Sequence, residues 1–220
     1  MKKEITYDHQ VNSKQRVADH GEVFTSKREV NAMLDLVKQE TERIESRFLE
    51  PACGTGNFLV EILERKLTVV ESKYKKSSLE YQRYAISALS SIYGVDILEE
   101  NVIACRDRLL GIFTKFYMAN CKSNLNHKCL DSAAFLLRKN ILWGDALSLM
   151  TVGKHPVALV FSEWSLVGGS MIKRRDFIFD VLVNRSHQPS LFSDQNNPVN
   201  IPEHGKEFPL THFLELEKYD

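Results

Sequence analysis

A glycine-rich turn between a strand and a helix is the segment of this sequence best suited to bind a small ligand. The turn spans residues 50–58 and reads EPACGTGNF. Gly54 and Gly56 let the backbone turn tightly and approach a ligand, because a side chain there would occupy the ligand's space. The crevice beyond the strand ends of an open parallel sheet is the usual ligand site. The same residues are also compatible with an ordinary turn that only joins strand to helix.

The spacing of these glycines argues against two common phosphate-binding turns. It is neither the GxGxxG of dinucleotide-binding proteins nor the GxxxxGK of a phosphate-binding loop. The turn also contains no lysine that could meet a phosphate. We therefore expect a ligand without a polyphosphate group.

Two acidic residues end later strand patterns and can join the same site. Asp96 lies at the end of IYGVDI, and Asp145 follows NILWG. A carboxylate at either position can accept hydrogen bonds from a ligand. Asp96 is equally compatible with a helix-capping acid, and Asp145 with a turn residue.

The elements that must position these residues alternate between strands and helices. Apolar residues recur at helical spacing near 30–37, after the glycine turn, over 73–91 and over 99–119. Short strand patterns lie at 47–50, 92–97, 140–143 and 157–161. The alternation predicts an α/β fold with a doubly wound, mostly parallel sheet and helices on both faces.

Composition divides the chain into three parts. Residues 1–46 are an N-terminal arm followed by an amphipathic helix, and residues 47–165 are the core of the fold. Residues 166–220 form a partly irregular C-terminal extension, with proline, asparagine and serine frequent over 186–209. The apolar run 177–183 is compatible with one more element. We expect the sheet to be incomplete at its C-terminal end.

Charge and length limit the binding partners. A chain of 220 residues with 43% hydrophobic residues can bury one full core but is short for two. Lysine plus arginine equals aspartate plus glutamate, at 29 each, so no global positive field indicates a nucleic-acid partner. Any DNA binding must therefore come from a local patch or from another subunit.

The cysteine pattern and the apolar runs limit the compartment. The four cysteines show no paired spacing typical of a metal site, so we expect reduced cytosolic thiols and no metal. The first 15 residues lack the apolar stretch of a signal peptide. No run approaches the roughly 20 apolar residues that span a bilayer. We expect a cytoplasmic protein that does not bind membranes.

Two motifs together resemble a known family. LEPACGTGNFL, residues 49–59, closely resembles the cofactor motif of the bacterial N6-adenine DNA methyltransferases of restriction-modification systems. HGEVFTS, residues 20–26, is similar to the preceding motif of that family, which commonly reads G-x-x-[FY]-T-P. The resemblance covers approximately residues 18–160.

The resemblance implies S-adenosylmethionine as cofactor and a Rossmann-like methyltransferase fold. The glycine turn would wrap the methionine end of the cofactor, and the upstream motif would close over it. Asp96 would accept hydrogen bonds from both ribose hydroxyls, and Asp145 would lie near the adenine amino group. The cofactor site implied in this way consists of Phe24, Thr25, Glu50, Pro51, Ala52, Gly54, Gly56, Asn57, Phe58, Asp96, Ile97, Asp145 and Ala146.

The segment at the family's catalytic position departs from the family's pattern. The family carries [DNS]-P-P-[YFW] after the fourth strand, where it polarises the target amine and stacks on the flipped base. This chain reads SEW there, with neither proline. Ser162 is predicted to accept from the amine, Glu163 to be a replacement acceptor, and Trp164 to stack on the base. Glu163 is also compatible with an exposed acid, and Trp164 with a core aromatic.

A short basic run follows this segment. Lys173, Arg174 and Arg175 come shortly after Gly168 and Gly169. Basic side chains at this place can contact the phosphates of a bound DNA strand. An ordinary solvated surface is the alternative interpretation.

The resemblance implies an S-adenosylmethionine-dependent DNA adenine-N6 methyltransferase, or the methylase subunit of a restriction-modification system. Its partners would be double-stranded DNA and a specificity or restriction subunit. The alternative is a catalytically inactive module that binds the cofactor within a DNA-defence complex. Methylation of RNA or protein stays open as well, because fold alone does not select the substrate.

Overall fold

The computed structural model describes residues 25–122, 125–180 and 205–220. Phe24, most of the upstream motif and most of the proline- and asparagine-rich stretch lie outside the described residues. The helices are α1 (Lys27–Asp35), α2 (Lys38–Thr41), α3 (Asn57–Tyr74), α4 (Ser78–Ser90), α5 (Glu99–Asn120) and α6 (His127–Asn140). The strands are β1 (Phe48–Glu50), β2 (Ile92–Asp96), β3 (Ile141–Asp145), β4 (Met150–Thr151), β5 (Val160–Leu166), β6 (Met171–Ile178), β7 (Lys206–Glu207) and β8 (Thr211–His212). A 3-10 helix follows at Leu216–Tyr219.

The first sheet has the strand order β1-β2-β3-β4. β2 pairs in parallel with both β1 and β3, and the short β4 runs antiparallel to β3. The register places Glu50 beside Gly94 and Asp96 beside Trp143. The predicted α/β class with a mostly parallel sheet is confirmed, and the carboxyl ends of β1, β2 and β3 meet at one edge.

The prediction of a fourth parallel strand is wrong. Residues 160–166 form β5, which pairs antiparallel with β6 in a second sheet. The chain reverses between them at Gly168 and Gly169, with φ values of 51° and 53°. Consecutive residues with positive φ favour a tight hairpin, whereas a parallel strand requires a longer crossover connection.

The two faces of β2 pack against different cores. Ile92 belongs to the large core built mainly from the helices, and Gly94 lies against Cys53 and Leu59 of that core. Tyr93 and Val95 point the other way because side chains alternate along a strand. Their cluster includes Leu159, Phe161 and Phe179. In the ranges that the structure describes, this cluster covers part of the sheet where helices were expected.

A buried lysine fixes the ends of β1 and β2 that lie opposite the glycine turn. Lys66 of α3 is fully buried, and its Nζ donates to the carbonyls of Ile44 and Ser46 and to Ser91 Oγ, the last at 2.6 Å. Burial lowers the pKa of Lys66 from 10.5 to about 7. Since Ser46 precedes β1 and Ser91 precedes β2, these bonds link the amino-terminal ends of the two strands.

The described ranges contain no helix that combines the length and the apolar character needed to cross a membrane. Cys53, Cys105, Cys121 and Cys129 are free thiols, and all four are buried. Within the same ranges, no three metal-ligating side chains lie together as a metal site would require.

Candidate ligand-binding site

A cavity of about 590 Å³ lies at the carboxyl ends of β1, β2 and β3. Small-molecule sites in proteins commonly have roughly 300–1,000 Å³. Its walls come from the glycine turn, from the residues that follow β2 and β3, and from Thr25 just before α1. The topology therefore brings four separate segments to one place.

Eleven residues of the implied cofactor site line this cavity. They are Thr25, Glu50, Pro51, Ala52, Gly54, Asn57, Phe58, Asp96, Ile97, Asp145 and Ala146. Phe24 lies outside the described residues. The cavity also has lining residues that sequence reasoning missed, namely Cys53, Leu98, Asn101, Gly144 and Leu147. All of these are direct neighbours of predicted residues except Asn101, which lies in the first turns of α5.

The two glycines of the turn have different surroundings. Gly54 lines the cavity with φ 51°, a conformation that favours glycine. Gly56 has φ 87° and packs against α5, since a Cβ there would lie 2.7 Å from Cys105 Sγ. The expectation that Gly56 approaches the ligand is therefore corrected: its missing side chain makes room for a helix.

Main-chain hydrogen bonds attach the turn to the end of β2. The Cys53 N–H donates to the Val95 carbonyl at 2.9 Å, and the Gly56 N–H donates to the Cys53 carbonyl at 2.8 Å. The Gly54 N–H donates to Asp96 Oδ2 at 2.8 Å. The conformation of the turn thus depends on a carboxylate from the neighbouring strand.

Asp96 has more partners inside the protein than the sequence indicated. Its Oδ1 accepts from the Leu98 N–H at 2.9 Å and from Asn101 Nδ2 at 3.2 Å, while its Oδ2 accepts from Gly54. A carboxylate has about four acceptor positions. With three of them used, about one is left on Oδ2. The prediction that Asp96 accepts from both ribose hydroxyls is therefore reduced to one of them.

Asp145 both lines the cavity and closes a turn. Its Oδ1 accepts from the Leu147 N–H at 2.9 Å, and its Oδ2 from the Ser148 N–H at 3.3 Å. These bonds lower the pKa of Asp145. Asp145 is therefore both a turn residue and a residue of the cavity wall.

Burial raises the pKa of Glu50, which also lines the cavity.

The charged side chains among the described lining residues of the cavity are all acidic. Glu50, Asp96 and Asp145 contribute carboxylates, and among the described lining residues there is no lysine, arginine or histidine. The eighteen-residue helix α3 begins at the cavity with Asn57, so the positive end of its dipole faces this region. The lining carboxylates favour cationic groups and hydroxyls of a ligand, and the start of α3 favours one anionic group.

The side chains predicted to be catalytic lie elsewhere. Ser162 and Glu163 are interior residues of β5, not residues of a turn beyond a strand. Ser162 is 2% exposed and donates from Oγ to Asp176 Oδ1 at 2.7 Å. Glu163 forms ion pairs with Arg47 and Arg175. Neither residue lines the cavity.

Trp164 is a core residue. It is 7% exposed, its Nε1 donates to Asn140 Oδ1 at 3.0 Å, and its ring meets Phe135 edge to face. The side chain could stack on a base only after leaving this environment. The core interpretation of Trp164 replaces the base-stacking prediction, because the predicted turn at 162–164 is a strand.

The basic run does not form a free phosphate-binding patch. Arg174 is 7% exposed, and its guanidinium donates to both carboxylate oxygens of Asp176 at 2.8 and 2.7 Å. Lys173 pairs with Glu207 at 3.1 Å, and Arg175 pairs with Glu163 at 2.5 Å. The DNA-binding prediction is corrected for Arg174, which alternation in β6 turns inward. For Lys173 and Arg175, which are partly exposed beside acidic partners, it stays a prediction.

Replacing Asp96 should loosen the turn as well as the ligand site. We expect Asp96→Ala to lower the free energy of unfolding by about 2–4 kcal/mol, because the Gly54 N–H and the Asn101 amide lose a buried charged acceptor. Asp96→Asn is the matched control, since it keeps the shape and one acceptor oxygen and should cost less. Urea unfolding measures both variants. Equal stability of wild type and Asp96→Ala would show that Asp96 does not hold the turn.

The chain matches no protein-family model, no curated protein and no solved structure. The function therefore has to be inferred from the residues of the site and from the chemistry that they permit.

Proposed function

We propose that this protein binds S-adenosylmethionine at the carboxyl ends of β1, β2 and β3. We further propose that it is the cofactor-binding unit of a DNA adenine-N6 methyltransferase, with the Rossmann-like fold of that class. The observation that carries the proposal is the convergence of eleven implied cofactor residues on one cavity. They come from four segments of the chain, and sequence proximity within one motif does not account for their meeting.

The chemistry of the cofactor matches the charges of the site. S-adenosylmethionine carries a sulfonium and an ammonium group, which suit a cavity with three carboxylates. Its methionine carboxylate suits the N-terminal end of α3. Asp96 can accept from one ribose hydroxyl, and Asp145 from the adenine amino group. The exposed side chains of Ile97 and Leu147 offer apolar contact to the adenine ring.

Within this proposal the chain's own residues bind and orient the cofactor. The bound cofactor supplies the electrophilic methyl group. Glu50 and Asp96 favour the cationic ligand. The turn at Gly54 leaves space for the ligand to come close to the protein backbone. Double-stranded DNA and a specificity or restriction subunit are the partners that the proposal implies, and the subunit would provide the surface that receives the target base.

Calorimetry can test the cofactor assignment against other adenine nucleotides. We expect a micromolar Kd for S-adenosylmethionine, about −8 kcal/mol of binding free energy. NAD and ATP should bind far more weakly, since their phosphates would face three carboxylates without a basic side chain. Tighter binding of ATP or NAD, or no binding of S-adenosylmethionine to folded protein, would contradict the proposal.

The placement of Ser162, Glu163 and Trp164 favours a second candidate function. In the part of the chain that the structure describes, none of these side chains reaches the cavity. The second candidate is a module that binds the cofactor within a DNA-defence complex without transferring the methyl group.

Transfer of labelled methyl groups to unmethylated DNA separates the two candidates. The assay is run with the chain alone and with the products of the neighbouring genes. Turnover in either case supports the methyltransferase unit. Cofactor binding without turnover in both cases supports the inactive module.

A further inference from the structure

Arg108 of α5 holds the glycine turn from the side away from the cavity. Its Nη1 lies 2.6 Å from the Thr55 carbonyl, 3.1 Å from Thr55 Oγ1 and 2.8 Å from Asn57 Oδ1. Arg108 does not line the proposed cofactor cavity, whereas Asn57 does. One turn earlier on the same helix, Cys105 packs against Gly56. Helix α5 thus fixes both the backbone of the turn and one side chain on it.

The guanidinium of Arg108 determines which way the Asn57 amide points. Arginine has only donors, so the amide oxygen must face it. The Asn57 nitrogen then points the opposite way and donates to the Thr25 carbonyl at 3.1 Å. A reversed amide would place its NH₂ against the guanidinium and its oxygen against the Thr25 carbonyl. Both contacts would be repulsive, so Arg108 selects the orientation that binds Thr25.

Thr25 is the first residue that the structure describes, and it lines the cavity. The next residue, Ser26, is the N-cap of α1 and forms a capping box with Glu29. Helix α1 is attached to α3 by Lys27, whose Nζ lies 2.7 Å from Glu61 Oε1. The hydrogen bond from Asn57 adds a contact at the cavity edge itself, where Thr25 is a lining residue.

We infer that Arg108 is a positioning residue for cofactor binding, acting through Asn57 on Thr25. The guanidinium orients the amide, the amide holds the Thr25 carbonyl, and Thr25 forms the cavity wall next to the start of α3. This inference rests on the proposed function, in which the glycine turn surrounds the methionine end of S-adenosylmethionine. Loss of Arg108 should therefore affect the methionine end of the ligand and leave the adenosine end unchanged.

Two ligands that differ in the amino-acid part make this selectivity measurable. 5′-Methylthioadenosine has the adenosine and the sulfur of the cofactor but lacks the amino-acid group. We expect Arg108→Met to weaken S-adenosylmethionine binding about tenfold, as for loss of one charge-assisted hydrogen bond. The affinity for 5′-methylthioadenosine should stay the same. Arg108→Lys should recover part of the loss, because it restores one cationic donor.

A double-mutant cycle tests whether Arg108 acts through Asn57. Asn57→Ala removes both the acceptor for Arg108 and the donor to the Thr25 carbonyl without adding a charge. We expect Asn57→Ala and Arg108→Met to have combined effects smaller than their sum, because both break the same connection. Additive effects on S-adenosylmethionine affinity would overturn the inference.

The ligand pair also separates failure of this inference from failure of the proposed function. Wild-type protein that binds neither ligand overturns the proposed function and the inference with it. Wild-type binding that Arg108→Met leaves unchanged overturns the inference alone. Equal weakening of both ligands by Arg108→Met also overturns it, because a general loosening of the site does not distinguish the methionine end.

Discussion

Gly54→Val should abolish S-adenosylmethionine binding while most of the fold remains. Gly54 lines the cavity, and a branched side chain there would fill the space into which the ligand must approach. Its φ of 51° adds backbone strain of about 1–2 kcal/mol for any residue with a Cβ. We expect the Kd to rise by roughly two orders of magnitude or more in calorimetry.

Gly168→Val is the matched control for backbone strain. Gly168 has the same φ of 51° but lies in the hairpin turn between β5 and β6, and an added Cβ there meets nothing within 4 Å. Both variants carry the same conformational penalty, so urea unfolding should show comparable losses from strain. Only Gly54→Val should lose the ligand. If Gly54→Val binds normally, the glycine turn has a structural role alone.

Trp164→Ala should cause the largest loss of stability and leave cofactor affinity nearly unchanged. The indole is buried against Phe135 and donates a hydrogen bond to Asn140. The Arg174 guanidinium covers it, with Cζ 5.4 Å from the ring centroid. Truncating a buried aromatic side chain costs about 3–5 kcal/mol. Urea unfolding and calorimetry at a temperature where the variant is folded measure the two quantities separately.

Trp164→Phe serves as the intermediate variant. It keeps most of the apolar volume but leaves Asn140 Oδ1 without its indole donor, so about 1–2 kcal/mol should be lost. A base-stacking role for Trp164 predicts a different pattern. In that case both variants would be near wild type in stability, and only DNA-dependent properties would change.

The lining of this cavity could be predicted because three of its four segments follow strand ends and one of them resembles a known cofactor motif. The turn at 50–58 precedes a helix, and the topology of a parallel sheet brings the ends of β1, β2 and β3 together. Asp96 and Asp145 were found for that reason. What the pattern did not reveal is that Asp96 accepts hydrogen bonds from Gly54, Leu98 and Asn101. Those bonds depend on the local approach of turn and helix.

The second sheet had a sequence signal in the adjacent glycines Gly168 and Gly169, which are typical of a hairpin turn. Within β6, burial alternates over residues 171–174. Alternation separates Arg174 from Lys173 and Arg175, which a count of adjacent basic residues does not. The predicted catalytic turn at 162–164 is wrong because these residues belong to strand β5, where the side chain of Trp164 points inward.

The role inferred for Arg108 has no counterpart in local sequence. Arg108 lies 51 residues after Asn57 and on a different helix. Only the packing of α5 beneath Gly56 brings the guanidinium to the turn. Contacts of this kind depend on how two helices cross, and a spacing pattern within one element carries no information on that.

Photochemical labelling with methyl-tritiated S-adenosylmethionine tests most directly whether this cavity is the cofactor site. After irradiation and trypsin digestion, we expect label in peptides 17–27, 48–65, 84–106 or 140–154, which contain the lining residues. Unlabelled cofactor should suppress the label, Gly54→Val should remove it, and Gly168→Val should retain it. Label confined to other peptides, or none in folded wild-type protein, would contradict the assignment.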